Sequence, residues 1–333
     1  MSEKTLANRS AAMRNLLTVS SPETDDAVVN IADWAELSAF LGTIHAVSRE
    51  DIARALYRTY SLPEAAARIK AGDVFNELAD RANCCHQSTA KKSMAAYPFR
   101  VEGNQAVLSL RPRRSRTRDF GPIYLFLLAI SRANMDSRSR VLAGIDPTKV
   151  LERMCAEVLA TFWGGHSEVS GAMVFGTAGR NITTFRAKIE DLCDRLKEGV
   201  GWRPDARPPG AGDGKLDVVA WRRFSDDRQG SLVGFAQCKT GVHWRQHLTK
   251  LQPEVFCRRF MQKTLILHPV RVYMVPCRVE RRDWETHTGE GGILFDRCRV
   301  IQYAQGVSTA VVRDCRTWLG EALKLQKQGR FTQ

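Results

Sequence analysis

GDGKLDVVAWRRFSDDRQGSLVGFAQCKTG, residues 212–241, contains two apolar segments separated by a polar turn. Residues 216–221 and 232–239 are rich in Val, Leu, Phe and Trp, a composition typical of β-strands. The intervening residues 225–230 contain Asp, Arg, Gln and Gly, which favour a turn. The stretch therefore predicts a β-hairpin.

Polar residues are placed at one end of this predicted hairpin. Asp217 is near the beginning of the first strand, while Gln237 and Lys239 close the second. Side chains alternate across a strand, so Gln237 and Lys239 share a face and Cys238 points away from them. Antiparallel pairing of the two strands brings Asp217 close to Gln237 and Lys239. A carboxylate, an amide oxygen and an ammonium could together hold a hard cation such as Mg²⁺ and a polarised water.

A purely structural interpretation is a buried hairpin with a lysine at its edge. Packing alone poorly explains a Lys that ends an apolar strand beside an Asp.

Asp217, nineteen intervening residues and then Gln237-Cys238-Lys239 resemble the motif of the PD-(D/E)XK nuclease superfamily, in the Mrr-like branch that has Gln-x-Lys. The resemblance covers roughly residues 145–323. It implies an α/β (α+β) fold with a restriction-endonuclease-like αβββαβ core. It also implies a DNA endonuclease that depends on Mg²⁺ or Mn²⁺, in a superfamily that often serves bacterial restriction or anti-phage defence. Two departures are that no Pro precedes Asp217 and that Gln237 replaces the usual acid.

The resemblance also implies roles for individual residues. Asp217, Gln237 and the backbone carbonyl of Cys238 would hold the metal, and Lys239 would orient the attacking water or stabilise developing charge. Glu157, on the predicted first core helix, is the residue expected to add a further carboxylate; the alternative is a partly exposed glutamate in a salt bridge. Because Gln237 is uncharged, a second hypothesis is a catalytically lapsed nuclease fold that acts as a DNA-binding or scaffold subunit of a larger complex.

The charge of the chain favours a polyanionic partner, and nucleic acid fits best. Lys and Arg total 50 against 36 acidic residues, which gives a net charge of +14. The alternative is a protein that is basic without a nucleic-acid role. Basic residues predicted to contact DNA follow the two predicted hairpins: Arg111, Arg113, Arg114, Arg116, Arg245 and Lys250. A protein partner in a defence complex is a further expectation.

The cysteines and the N-terminal sequence predict a cytoplasmic protein. Nine cysteines are scattered without a Cys-x-x-Cys pair, which argues against a zinc ribbon and for reduced thiols. The N-terminal residues lack the apolar core of a signal peptide, and no run of about 18 apolar residues predicts a membrane span.

Three segments are predicted. Residues 1–30 form a flexible arm. Residues 31–140 form a mainly helical, winged-helix-like accessory domain with a β-hairpin at 97–101 and 106–110, and residues 141–333 form the nuclease domain. A small α+β domain with a solvated basic loop is the alternative for the middle segment.

Local patterns predict the remaining elements. Ser48 and Asp51 form a capping box at a helix start, and the apolar residues 121–133 form a helix buried between the two domains. In the nuclease segment we expect helices at 146–162, 184–197, 244–260 (broken or kinked at Pro253) and 311–325, and strands at 172–175, 271–275 and 293–303.

Overall fold

The computed structural model describes residues 27–60, 62–89, 92–104, 106–111, 121–133, 140–176, 184–209, 214–241 and 243–330. The predicted arm, up to residue 26, lies outside these residues. So do Arg113, Arg114 and Arg116, three of the predicted DNA contacts.

Among the described residues, the N-terminal part contains four helices and five short strands. In chain order these are α1 (Val28–Leu41), β1 (Ala46–Ser48), α2 (Arg49–Tyr60), α3 (Glu64–Cys84), β2 (His86–Thr89), β3 (Lys92–Ala95), β4 (Phe99–Glu102), β5 (Val107–Leu110) and α4 (Gly121–Arg132). The predicted hairpin is confirmed as β4 and β5, and β1 joins it in an antiparallel sheet of order β1-β5-β4. The capping box is confirmed, because the Ser48 amide donates to Asp51 at 3.0 Å and the Asp51 amide donates to Ser48 Oγ at 3.0 Å.

The C-terminal part contains a five-stranded mixed sheet with helices on both faces. Its elements are α5 (Pro147–Phe162), β6 (Ser170–Val174), α6 (Phe185–Leu196), β7 (Val218–Arg222), β8 (Leu232–Cys238), α7 (Pro253–Phe260), β9 (Val270–Met274), α8 (Trp284–Gly291), β10 (Ile293–Phe295), α9 (Arg297–Gln302) and α10 (Thr309–Arg330). The described residues therefore form a mixed α/β protein, as predicted.

The strand order in this sheet is β10-β9-β8-β7-β6. Strands β6, β7 and β8 form an antiparallel meander, so the predicted hairpin is confirmed, with Val218 opposite Ala236. Strand β9 follows α7 and runs parallel to β8. One face of the sheet packs against α5 and the other packs against α6 and α7, as the membership of the two main buried clusters shows.

Helix α4 joins the two parts of the chain, as its apolar sequence predicts. Most of its residues are buried, and the Phe126 ring packs edge-on against Trp318 of α10 at 5.6 Å. One buried cluster contains residues of α1, α4, α5 and α10 together. Both sides of the predicted domain boundary near residue 140 therefore contribute to a single core.

The predicted strand at residues 293–303 is wrong after its third residue. Strand β10 ends at Phe295, and Asp296 then begins α9 by accepting a hydrogen bond from the Arg299 amide at 3.0 Å. An Asp at this position is a helix-capping residue, and the apolar residues beyond it belong to the helix. Elsewhere, the predicted break at Pro253 is confirmed, because α7 begins there and a separate 3₁₀ turn covers Trp244–His247.

A buried group of charged side chains forms ion pairs that connect α1 and α3 with α9. Arg297 donates two hydrogen bonds to Asp33, at 2.9 and 3.0 Å, and Arg81 lies 2.7 Å from Asp33 and 2.9 Å from Glu36. All four side chains are almost completely buried. Burial alone would raise the pKa of Asp33, but Arg297 and Arg81 outweigh it and hold that pKa at about 2.

Among the helices of the described residues, none combines the length and the apolar character needed to cross a membrane.

Candidate active site

The structure brings Asp217 and Gln237 together at the end of the central hairpin. Asp217 immediately precedes β7, and the register of β7 and β8, continued by one residue, places it opposite Gln237. Asp217 is 6% exposed, and its Oδ2 accepts a hydrogen bond from the Cys238 amide at 2.7 Å. The amides of Phe175 and Gly176 both donate to the Asp217 carbonyl. The carboxylate therefore has a fixed position at the strand ends.

Gln237 is a completely buried amide side chain without a hydrogen-bond partner in the described part of the chain, at either Oε1 or Nε2. Alternation along β8 places it on the face of Phe235, and the register places it beside Tyr273 of β9. Leaving a buried polar group unpartnered costs roughly 1–3 kcal/mol. Nearly all such groups in folded proteins have partners, so this amide points to a ligand or an ordered water.

Lys239 continues the same face of β8 just beyond the strand. Its side chain is half-buried, and its backbone amide donates to the Met274 carbonyl at 3.0 Å. No described carboxylate forms an ion pair with the Lys239 ammonium. The backbone hydrogen bond therefore fixes the position of Lys239 at the end of β8. Because no described carboxylate pairs with its ammonium, that group can bind an anion.

Several basic side chains lie near His247, in the segment that follows this end of the hairpin. Burial, followed by the charges of Lys250, Lys239 and Lys215, lowers the pKa of His247, with a further contribution from His243. These effects place four cationic or titratable groups around one imidazole. A local excess of positive charge beside a buried carboxylate suits a substrate that carries phosphates.

Glu157 does not have the position that the resemblance implies. Its carboxylate accepts a hydrogen bond from the Ser308 amide at 2.8 Å, at the beginning of α10. Its place is therefore at a helix N-terminus, where a negative charge is stabilising. The structure gives Glu157 a capping role and shows no contact between it and Asp217 within the described residues.

Glu152 is the acid of α5 whose charge acts on Cys238, the last residue of β8. It is 8% exposed. Cys155, one turn later, hydrogen-bonds the Cys238 thiol, and this bond, burial, Asp217 and Glu152 together raise the pKa of Cys238. Glu152 and Glu157 point about 140° apart around the helix. The sequence contains a clue to this role, since Glu152 begins a second buried stripe with Cys155, Ala156 and Leu159.

Asp217 makes its hydrogen bond with the backbone of β8, which lies between the two faces of the sheet. Alternation places Gln237 on the α7 side and Cys238 on the α5 side, where Glu152 lies. The Asp217 carboxylate contacts the Cys238 amide between them. The prediction that the Cys238 carbonyl binds metal stays a prediction, whereas its amide is shown to orient Asp217.

The other predicted DNA contacts have varied surroundings. Arg111 directly follows β5, and its Nε donates to the Phe99 carbonyl at 2.8 Å. Arg245 stacks on the Trp244 ring at 4.9 Å and donates from Nε to His287 at 3.2 Å. Lys250 is exposed just before α7. Of these three, Arg245 and Lys250 lie beside the hairpin end.

The oxygen atoms at the hairpin end are of the kinds that hard cations prefer. Asp217 supplies a carboxylate, Gln237 an amide oxygen without a partner, and Glu152 a nearby negative charge. Mg²⁺ prefers oxygen ligands and keeps several waters, so it needs few from protein. No group of three or more His, Cys, Asp or Glu side chains suited to a metal occurs among the described residues. The fit to Mg²⁺ therefore depends on the Gln237 amide.

Comparisons with protein-family models, curated proteins and solved structures gave no significant match to this chain.

Proposed function

We propose that the protein is a metal-dependent DNA endonuclease with a restriction-endonuclease-like core. The observation that carries this proposal is the buried, unpartnered amide of Gln237 beside the buried carboxylate of Asp217, with Lys239 on the same face. A buried amide without a partner calls for a ligand or an ordered water, and a hydrated cation would supply either one.

The order of elements supports the same proposal. Helix α5 precedes the antiparallel meander of β6, β7 and β8, and α7 then leads to β9, which is parallel to β8. If α6 is treated as an insertion between β6 and β7, this order is compatible with the αβββαβ core that the motif resemblance implies. The N-terminal helices and three-stranded sheet are the elements expected of a winged-helix-like accessory domain, and we propose that it helps to bind DNA or a protein partner.

Each residue would have a separate task in the reaction. Asp217, oriented by the Cys238 amide, and Gln237 would hold the cation, and Glu152 would add negative charge from the α5 side. When bound, Mg²⁺ polarises the scissile phosphate and lowers the pKa of a water. The Lys239 ammonium would stabilise the negative charge that develops on the phosphate. The lysines around His247 would attract the phosphate backbone of the substrate.

Plasmid DNA tests the proposal directly. We expect the purified protein to nick or linearise a supercoiled plasmid in the presence of Mg²⁺ or Mn²⁺, and to leave it intact when EDTA is in excess. Electrophoresis of the products provides the measurement. An intact plasmid across a range of Mg²⁺ and Mn²⁺ concentrations, with the protein shown to be folded, would contradict the nuclease proposal.

A lapsed nuclease fold that acts as a DNA-binding or scaffold subunit is the second candidate. The observation that favours it is the missing charge at Gln237, together with the absence of a three-acid cluster in the described structure. An inert wild type that gains cleavage through Gln237→Glu would favour this candidate.

Paired glutamate variants test which acid of α5 serves the site. We expect Glu152→Gln to lower cleavage about 10- to 100-fold, the loss typical of residues that support metal ligands, and excess Mg²⁺ to restore part of it. Glu157→Gln is the matched control on the same helix, and it should mainly weaken the beginning of α10. Gln237→Glu should lower the Mg²⁺ concentration needed. Cleavage measured against Mg²⁺ concentration compares all three, and equal losses at Glu152 and Glu157 would contradict the assignment of Glu152.

The thiols support a reducing compartment, and we propose the cytoplasm. All nine cysteines are free, and six of them are buried. An anti-phage or restriction role, with a possible protein partner, remains part of the same proposal.

A further inference from the structure

A cavity of about 130 Å³ lies beside the candidate active site, at the junction of the two parts of the chain. Its walls come from four segments: the residues around the beginning of α1, the end of α4, the loop that follows β8, and the loop that follows β9. Thr240 and Gly241, the two residues after Lys239, line it. Each residue spans at most about 3.6 Å of chain, so this cavity begins within a nucleotide's length of the Lys239 backbone.

The charged groups in the cavity wall are three arginines and one aspartate: Arg132, Arg245, Arg278 and Asp33. Two of these four are already neutralised. Asp33 is paired with Arg297 and Arg81, as described above. Arg278 forms ion pairs with Glu77, Asp80 and Asp296, at 3.2, 2.6 and 2.9 Å. Arg132 and Arg245 therefore decide the charge of the cavity.

Neither of these two guanidinium groups has a carboxylate partner among the described residues. Arg132 lies at the C-terminal end of α4 and is near enough to Asp33 to contribute to its low pKa. Arg245 is held by Trp244 and by the bond from its Nε to His287, so its two terminal nitrogens have no described partner. The cation–π contact with Trp244 helps to hold this group at the cavity wall. Two cations thus approach one cavity from different elements, and we call it the Arg132–Arg245 pocket.

We propose that the Arg132–Arg245 pocket binds a phosphate group of the DNA strand next to the phosphate that is cut. The guanidinium group matches phosphate oxygens in a bidentate geometry. A cavity of about 130 Å³ has room for one phosphate group. This inference rests on the proposed nuclease function. Phosphate binding in the pocket would hold the DNA strand at a second point and so set its position over Lys239.

Binding without cleavage tests the pocket separately from the reaction. Short fluorescent DNA duplexes, with either hydroxyl or phosphorylated strand ends, are titrated with the protein in EDTA over a range of salt concentrations. We expect Arg132→Gln and Arg245→Gln each to weaken binding about tenfold and to reduce the slope of log affinity against log salt by about 1. The matched control is Arg316→Gln on α10, an exposed arginine outside the pocket, which should change affinity less than about twofold.

The two kinds of duplex identify the source of the phosphate. Weakening on both duplexes indicates an internal backbone phosphate, and weakening on the phosphorylated duplex alone indicates a terminal phosphate; either supports the pocket. Affinities equal to that of the wild type, losses no larger than that of Arg316→Gln, or a wild type that does not bind DNA would overturn it.

Folding and cleavage are controlled separately. Thermal unfolding checks each variant, and Arg132→Lys and Arg245→Lys, which keep the charge, replace any glutamine variant that unfolds; they should retain the salt slope but lose part of the affinity. A wild type that binds DNA but never cleaves it with Mg²⁺ refutes the nuclease proposal alone. Cleavage by the wild type with normal binding by the pocket variants refutes the pocket alone.

Discussion

Replacing Lys239 with alanine is expected to lower the rate of DNA cleavage about 10²- to 10³-fold, the usual cost of removing one group that stabilises transition-state charge. The backbone of Lys239 is held by the Met274 carbonyl, and the half-buried ammonium forms no ion pair with a described carboxylate. Its removal should therefore leave the fold intact. The loss should appear in cleavage, with little change in thermal unfolding.

The comparison variant is Lys263→Ala, which removes the same group from an exposed position on a different loop. Plasmid cleavage at saturating Mg²⁺, measured for both variants and for the wild type, gives the ratio of rates. Lys239→Arg keeps the charge but presents a larger planar group, and it should recover only part of the activity. Nicking by Lys239→Ala at the wild-type rate would remove Lys239 from the proposed mechanism.

The hairpin at the centre of the site could be predicted because its information is local. Alternating apolar residues and a polar turn define β7 and β8, and antiparallel pairing then places Asp217 opposite Gln237 without further knowledge. The same is true of Asp146 and Pro147 at the beginning of α5, where the Asp146 side chain accepts from the Thr148 amide. Such features depend on residues close together in the chain.

Local information was insufficient to indicate which acid of α5 lies on the side of Cys238 and the strand ends. That helix is buried on most of its surface, including Glu152, Cys155 and Leu159, so periodicity does not show which side faces the strand ends. Glu157 instead accepts a hydrogen bond from the amide of Ser308, a residue 151 positions away. The Arg132–Arg245 pocket is likewise formed by four distant segments, and no pattern within any one of them predicts it.

The buried ion pairs between the two parts of the chain are the feature that sequence patterns predict least. Arg297 lies 264 residues from Asp33, and a sequence pattern gives no reason to bury an arginine in a short helix. The pairing also explains why the two predicted segments share one core, because α9 of the C-terminal part is fastened to α1 and α3 of the N-terminal part. Loss of Arg297 should therefore affect the whole chain.

We expect Arg297→Met to lower the free energy of unfolding by about 3–5 kcal/mol near neutral pH, because removing one partner of a buried ion pair leaves its acid uncompensated. Methionine has a similar length and keeps the packing. Arg316→Met, at an exposed position of α10, is the control and should change stability by less than about 0.5 kcal/mol. Urea unfolding of the two variants and the wild type provides the values.

The same experiment at lower pH distinguishes loss of the ion pair from loss of packing. The pKa of Asp33 is lowered from 3.8 to about 2 in the folded protein, so its stabilising contribution is complete above the unfolded value and is lost as the pH falls toward 2. Arg297 is the strongest of the charges that lower this pKa. The difference between wild type and Arg297→Met should therefore narrow as the pH falls from about 4 to about 2. A difference that stays constant through this range would mean that the arginine stabilises the fold by packing rather than by its charge.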